Sequence, residues 1–321
     1  MFYRVFAVVL LLLAPGAVSA QSQYPSKPVR VVVPYPAGGG TDLQARPMAA
    51  KLSELWKQQV VIDNRGGASG MVGAEIVAKS PPDGYTVLMC ASAEVSLNVA
   101  LYSKMTYDPA RDFTPVTQLS ISPLVLTVHP SLPARSVKEF IVLAKKRPGQ
   151  ISYASSGPGG PHHMAGEWMK MLAGIDIIHV PYKGGGPQIK DQMGGHVHSA
   201  FISMPVVAPF MDSPKIRVLA VTTAKRSATF PKVPTLAESG LQGFDVSQWW
   251  AILVPRGTPD NIVAKLHTDF VALTKMPDIR EKMAALGAEP VGSTAAHLVE
   301  VIRSDISKYK KIVKAAKITV N

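Results

Sequence analysis

The 321-residue chain carries a single cysteine, Cys90, so no disulfide can form within it. That cysteine lies too far from the amino terminus to anchor an exported chain to lipid. Cys90 ends the apolar run YTVLMC (85–90) and reads as a small core residue. No stretch beyond the amino terminus approaches about 18 uninterrupted apolar residues, which excludes a membrane-spanning helix there. Common enzyme signatures are missing too. G-x-G-x-x-G fails at its last glycine, where Leu43 and His162 stand after the pairs Gly38, Gly40 and Gly157, Gly159. The Walker pattern and G-x-S-x-G do not occur. These absences argue against a dinucleotide enzyme and an α/β-hydrolase. No finger, RNP or basic zipper pattern accompanies the net charge of +12, so the basic balance suits acidic ligands or anionic surfaces and not nucleic acid. The basic run KYKKIVKAAK (308–317) reads as a solvated helix face.

What is present is a chain that folds around real cores, 47% hydrophobic and 17% charged, and long enough for about two domains. Residues 1–20 stand apart. Arg4 precedes an unbroken apolar run from Val5 to Ala14, followed by APGAVSA with small residues at Val18 and Ala20. This is the pattern of a secretory signal cleaved near Gln21, and it predicts export to the periplasm.

Short β-rich runs alternate with amphipathic segments, which predicts an α/β chain with mostly parallel sheets. The strand candidates are VRVVV (29–33), QVVIDN (59–64), YTVLMC (85–90), ISYAS (151–155), IDIIHVPY (175–182), VHSAFIS (197–203) and IRVLAVT (216–222). Helical spacing places Met48, Leu52, Leu55 and Trp56 on one face, and Met164, Trp168, Met171 and Leu172 on another. Ser136 with Glu139 and Thr235 with Glu238 have capping-box spacing; Gly149, Gly174, Gly194, Gly240 and Gly287 fall where helices should stop. Two longer extended stretches, Phe113 to Pro130 and Phe244 to Pro255, can each run from one sheet into another. They predict two α/β domains joined by two crossover strands: a discontinuous first domain, residues 25–120 plus 250–321, with a second, 121–249, inserted in it.

The loop VVVPYPAGGGTD (31–42) leaves a strand and enters a helix, at the sheet edge where open α/β folds place ligands. Its three glycines let backbone N–H groups approach a ligand closely, and a helix start favours negative charge there. Thr41 and Asp42 have the character of N-cap residues, and Pro47 predicts a late start or a kink. YASSGPGGPHH (153–163) repeats the design with the hydroxyls of Ser155 and Ser156 added. Facing each other across a cleft, the two loops would grip a carboxylate from both domains. VPYKGGGPQ (180–188) is a third loop of the kind, with Lys183, that either faces the cleft or simply closes a turn. His196 and His198 fall on one strand face and His163 with Glu167 has i, i+4 spacing, but a metal needs three or four convergent ligands. No metal and no cofactor is expected.

Seven colinear stretches carry a family resemblance: PSKPVRVVVPYPAGGGTD, VVIDNRGGASGMVGAEIVAKSPPDGYTVLM, LYSKMTYDPARDFTPVTQL, SVKEFIVLAKKRPGQISYASSGPGG, IHVPYKGGGPQIKDQMGG, VLAVTTAKRSATFPKVPTLAESG and ALGAEPVGST. Over almost the whole exported chain the sequence resembles the substrate-binding proteins of tripartite tricarboxylate transporters, the Bug family. The resemblance implies a periplasmic binding protein of type II-like, Venus flytrap architecture that closes on a small organic anion and delivers it to integral membrane transporter subunits. It further implies that Ala37, Gly38, Gly39, Thr41, Ser155, Ser156 and Gly157 hold a ligand carboxylate through amides, hydroxyls and ordered water. Tyr35, Asp42, Ser92, His162 and Ser203 complete the expected ligand-binding set, and a monomer is expected. Where many members read GGQVDVMFDNLPSA this chain has GGHVHSAFISMPVV, with His198 and Ile202 at the usual acidic positions and Ser203 at the usual asparagine; Glu94 and Val95 replace a usual threonine and histidine. If the segment around Ile202 lines the pocket, the change argues against an ammonium-bearing ligand and for a plain or aromatic carboxylate. Trp249 and Trp250 either stack on such a ligand or pack the hinge. Two rivals stand beside this reading: a receptor that signals to a membrane sensor, and an exported hydrolase using Ser155 or Ser156 with a nearby histidine.

Overall fold

The computed structural model describes residues 24–318 apart from Lys183, Thr229 and the side chain of Pro205. The expected signal, 1–20, and the lysine of the third glycine loop therefore lie outside the described residues.

The first lobe begins β1 (Val29–Val33), α1 (Gly40–Trp56), β2 (Val60–Asn64), α2 (Met71–Ala78), β3 (Thr86–Ala91). The parallel pairings β1 to β2 and β1 to β3 put β1 in the middle of the three. After a π-helical turn over Ala93–Leu97 come the short helices α3 (Asn98–Leu101) and α4 (Pro109–Asp112), then the long β4 (Phe113–Val128). The second lobe repeats the opening pattern: α5 (Val137–Lys146), β5 (Ser152–Ser155), α6 (Pro161–Ala173), β6 (Ile178–Pro181), α7 (Gly185–Met193), β7 (Ser199–Ser203). Here β5 sits between β6 and β7, again parallel to both. The chain continues through α8 (Met204–Val207), β8 (Arg217–Val221), β9 (Ser247–Pro255), α9 (Asp260–Lys275), α10 (Pro277–Ala285), β10 (Glu289–Pro290) and α11 (Ala295–Ala316).

The two lobes are thus topological copies. In each, the first strand is central, its connection to the second strand carries a helix, and an antiparallel strand flanks the third: β9 beside β3, and β4 beside β7. The glycine loop after β1 corresponds to YASSGPGG after β5. VPYKGGG after β6 corresponds instead to NRGGASG after β2, so the third loop is the counterpart of a second crossover and not of the first.

β4 joins the lobes. Its 16 residues span roughly 50 Å; Phe113 to Pro123 pair with β9 in the first lobe and Leu124 to Val128 with β7 in the second. Register shifts near Pro115 and at Gln118 to Ser120 absorb the twist, and bulges are where a strand tolerates proline. The return crossing runs through Phe244 and Val246, which are buried with the second lobe's core, into β9, whose Trp250, Ile252 and Val254 belong to the first.

Each sheet is covered on both faces, which is why its strands read as nearly continuous apolar runs. One face of the first lobe packs Val31, Val33, Val87 and Met89 on Met48, Leu52, Phe270 and Ile279; the other packs Val32, Leu88 and Cys90 on Ala74, Val77 and Leu298. In the second lobe Phe140, Tyr153, Met169 and Phe201 fill one face and Val125, Ile189, Ile202 and Val221 the other. α11 serves both lobes. Leu298 packs on the first, while Tyr309 and Ile312 meet Leu97 and Met164 of α6.

Several local expectations change. α1 starts on time at Gly40 and runs through Pro47, with Gly39 as N-cap; Thr41 and Asp42 lie in its first turn. Leu55, Met171 and Leu172 are exposed, because the sheet takes the stripe of Met48, Leu52 and Trp56 in α1 and of Ala165 and Met169 in α6. β7 begins at Ser199, so His196 and His198 precede the strand and share no strand face. Trp249 and Trp250 are both buried hinge packing, their indoles donating to Asp305 and Thr41. Ile202 is fully buried in the core.

Gly166 marks the tightest helix-to-sheet contact: a Cβ there would overlap the Tyr153 ring. Gly166→Ala should destabilise the second lobe by about 1–3 kcal/mol through overpacking, read as a lower Tm with unchanged far-UV helicity. An unchanged Tm would contradict this packing.

Candidate functional site

Parallel α/β sheets bind ligands outside the carboxyl ends of their strands, where the strand order reverses. Here that point lies between β1 and β3 in one lobe and between β5 and β7 in the other. Tyr35, Ala37, Gly38, Gly39, Thr41 and Asp42 follow β1, and Ser92 follows β3; Ser155 ends β5, Ser156, Gly157 and His162 follow it, and Ser203 ends β7. The expected residues therefore gather at the two reversal points. The contact of Leu97 with Met164 places the turn after β3 against the helix that starts after β5.

In the upper loop Gly38 adopts φ +81°, open to glycine without strain. Asp42 is 1% exposed and closes the loop: it accepts from the Gly38 N–H and Arg46 Nε, each at 2.8 Å, and from Asn64 Nδ2 at 3.0 Å. Burial raises its pKa, but the hydrogen bonds from Arg46, Gly38 and Asn64 outweigh it and hold the carboxyl below its ordinary range. Its charge is thus consumed within the loop. The first intrahelical bond of α1 is Leu43 N–H to Gly39 O at 2.9 Å. The amides of Gly40, Thr41 and Asp42 consequently have no acceptor within the helix, as at any helix start, and the macrodipole adds positive potential there. No side chain caps them.

The lower loop is built on hydroxyls and imidazoles. Ser155 is fully buried; its hydroxyl meets His179 Nε2 at 2.7 Å and donates to Gly157 O at 2.9 Å. Ser156 Oγ meets His162 Nδ1 at 2.7 Å, and His162 Nε2 meets Ser203 Oγ at 2.8 Å. One imidazole thereby ties the loop after β5 to the end of β7, across the reversal point. Gly159 N–H donates to His163 Nδ1, and the His163 and His179 rings stack 3.8 Å apart. Tyr153 stacks on the other side of His179 and bonds Glu167 at 2.7 Å. Burial pushes His162, His163 and His179 each down to about 4, so near pH 7 all three are neutral. The lower loop, like the upper, holds no net side-chain charge at its tip.

His179, Tyr153, Asn64 and Glu94 are absent from the expected set. Strand register would have found His179, which pairs with Tyr153 beside Ser155; Asn64 carries no signal beyond its place at the end of β2. The loop that holds Lys183 corresponds to the second crossover, and Tyr182 in it bonds Asp191. Among the described residues no group of three metal-ligating side chains is placed to hold an ion, and no helix is long and apolar enough to cross a membrane. Two cavities of about 410 and 380 Å³ lie at the hinge instead, sharing Gln118, Ile121, Asp245 and His297.

Two matched lobes with uncharged, amide-rich loops at facing reversal points define a cleft-type solute receptor. The model of the tripartite tricarboxylate transporter family receptor matches residues 44–318, and the chain belongs to that family. The match begins just after the upper loop, so that loop's part rests on its geometry. Among solved structures, Rpa4515 of R. palustris with adipate is 39% identical at TM-score 0.80, covering 92% of this chain and 99% of its own. The periplasmic binding protein BugD is 32% identical at TM-score 0.75, covering 92% and 99%. MatC from Rhodopseudomonas palustris, with bound malate, is 30% identical at TM-score 0.75, covering 90% and 100%.

The neutral imidazoles have a signed consequence. A histidine whose folded pKa is depressed adds stability that is complete above about 6.5 and is lost as the pH falls toward about 4. His162 alone contributes about 3 kcal/mol of this loss. Denaturation midpoints measured between pH 7 and 4 should fall steeply, and more shallowly in His162→Asn. Parallel profiles for the two proteins would contradict a buried neutral His162.

Proposed function

We propose that the protein is a periplasmic receptor that captures a small organic carboxylate between the β1–α1 and β5–α6 loops and hands it to integral membrane subunits of a tripartite transporter. The observation that carries this is the pairing of two uncharged helix-start loops at the reversal points of two topologically equivalent lobes. Such loops bind an anion by amide convergence, without a fixed counter-charge. The adipate and malate held by the two R. palustris relatives support an aliphatic dicarboxylate. The binding set is Tyr35, Ala37, Gly38, Gly39, Thr41, Ser92, Ser155, Ser156, Gly157, His162 and Ser203, with Asp42 acting by closing the upper loop. Because Ile202 is a core residue, its apolar character leaves ligand preference open to residues nearer the loops. The proposal keeps two domains, residues 25–120 plus 250–321 and 121–249; the change of β4 partner from β9 at Pro123 to β7 at Leu124 supports a crossing close to the first of these boundaries. The pattern over residues 1–20 supports export through a cleaved signal, and the receptor works as a monomer.

Hydrolysis fits less well. Ser156 has an imidazole partner, but His162 gives its second nitrogen to Ser203 and no carboxylate orients it. A pKa near 4 also leaves it a weak general base at neutral pH. A signalling receptor would use the same cleft; loss of growth on the bound compound after gene deletion separates uptake from sensing.

Isothermal titration with C4 to C6 mono- and dicarboxylates should find at least one ligand with Kd in the micromolar range or below, about 8 kcal/mol. Gly157, at φ +149°, cannot accept a side chain without strain, so Gly157→Ala should weaken that ligand by about tenfold or more. Absence of heat from every compound with folded protein, or full affinity in the variant, would overturn this assignment.

A further inference from the structure

A cavity of about 270 Å³ opens at the amino end of the first-lobe sheet, where β4 begins and β9 ends. β4 runs in the same sense as β3, both being antiparallel to β9, and its stretch from Phe113 to the hinge at Pro123 spans about 30 Å. The cavity is therefore remote from the loops at the carboxyl ends of β1 and β3. Its floor is Phe113, which is 1% exposed and packs edge-on against Tyr107 with ring centroids 5.6 Å apart. Val99 of α3 and Val299, Ile302 and Ile306 of α11 close the sides. Helical spacing puts those three α11 residues on one stripe.

Eight of the eleven lining residues are apolar, and the other three are charged: Asp108, Arg256 and Arg303. Asp108 is committed elsewhere, accepting the Ala110 and Arg111 N–H groups as the N-cap of α4. The two arginines are not. Arg256 is held through its backbone, its N–H donating to Asp112 O at 2.9 Å, and among the described residues neither guanidinium has a hydrogen bond or ion pair. One arginine follows β9 and the other lies within α11, so it is the tertiary structure that brings both to one cavity.

We propose that this cavity is a second ligand site, separate from the cleft, that takes a single-headed carboxylate with an apolar chain, in size a medium-chain fatty acid. The carboxylate meets Arg256 and Arg303, whose planar forks match its two oxygens; the chain lies over Phe113 between α3 and α11. The volume is about nine times a water molecule's share of the liquid, which suits a chain of roughly that many heavy atoms. A dicarboxylate fits less well, because its second charge would enter the apolar part with no donor to meet it. An ammonium group would face two positive charges.

The site stands apart from the receptor reading, and its test keeps the two separate. Octanoate titrated into the purified protein should bind with Kd on the order of 100 µM, unchanged in the presence of saturating adipate. The double variant Arg256→Gln/Arg303→Gln alters two exposed positions and should weaken octanoate about tenfold or more. Octan-1-ol, which lacks the charge, should not distinguish the two proteins. Butyrate keeps the head and loses four methylenes, so it should bind on the order of a hundredfold more weakly than octanoate. No octanoate binding at millimolar concentration, equal affinity in the two proteins, or displacement of octanoate by adipate would each overturn the proposal. Failure of adipate itself to bind would count against the receptor reading alone, and the comparison of wild type with the double variant would still decide this one.

Discussion

Everything in this molecule hangs on the antiparallel pairing of β4 with β9. The two strands carry the chain across the hinge in opposite directions, and nine residues of β4 are in register with partners on β9. The pair is held from both faces: Trp249 bonds Asp305 on one side, and Trp250 bonds Thr41 on the other. A change in the lobes' relative position must therefore bend this ribbon or rotate about it. Thr41 belongs to the first turn of α1, so the hinge strand and the upper anion loop are joined by a single hydrogen bond. The loop's position is thereby referred to the hinge itself and not only to its own strand.

The fold is largely legible in the amino-acid sequence. Each strand candidate corresponds to a strand: the central β1, β3 and β7 are buried and leave compact apolar runs between helix signals, while β8 pairs antiparallel with β4, against the expectation of mostly parallel pairing. Of the two capping-box spacings, Ser136 caps α5 by accepting from Glu139 N–H while the Glu139 carboxylate takes the Arg135 N–H instead, and Thr235 and Glu238 exchange both bonds but around a turn and not a helix. What escaped has physical reasons. β10 is two residues long and has no periodicity to read. The π-helical turn carries buried polar residues that resemble a loop. Leu55, Met171 and Leu172 lie at the margin of apolar stripes wider than the sheet can cover. Pro47 did not delay α1, since tertiary packing of Met48 and Leu52 and the Asp42 contacts hold the helix on both sides of it.

The candidate site was legible in one respect and hidden in another. Glycine spacing located both helix-start loops, because close backbone approach constrains residue type directly. The partners that shape those loops act from other strands, at separations no local pattern spans: His179 on Ser155, Ser203 on His162, Asn64 on Asp42. Glu94 was visible as a departure from the family pattern, but its full burial against Gly70 was not. Asp42 and Glu94 make an instructive pair. Both are buried acids in one lobe, yet Asp42 is held ionised by three donors, whereas Glu94, with one backbone donor and no cation, is pushed the other way.

The long terminal helix has a thermal consequence. α11 lies on the first lobe, but Tyr309 and Ile312 enclose Met164 of the second, and Lys308 donates to the Asp245 carbonyl at 2.5 Å. Any movement that drew α6 away from α11 would bring this apolar seam into water. Hydration of such surface raises heat capacity, so the more open arrangement would be the one with the higher heat capacity. The balance between arrangements would then shift with temperature as well as with ligand, and a receptor measured in the cold would differ in its resting population from the same receptor measured warm.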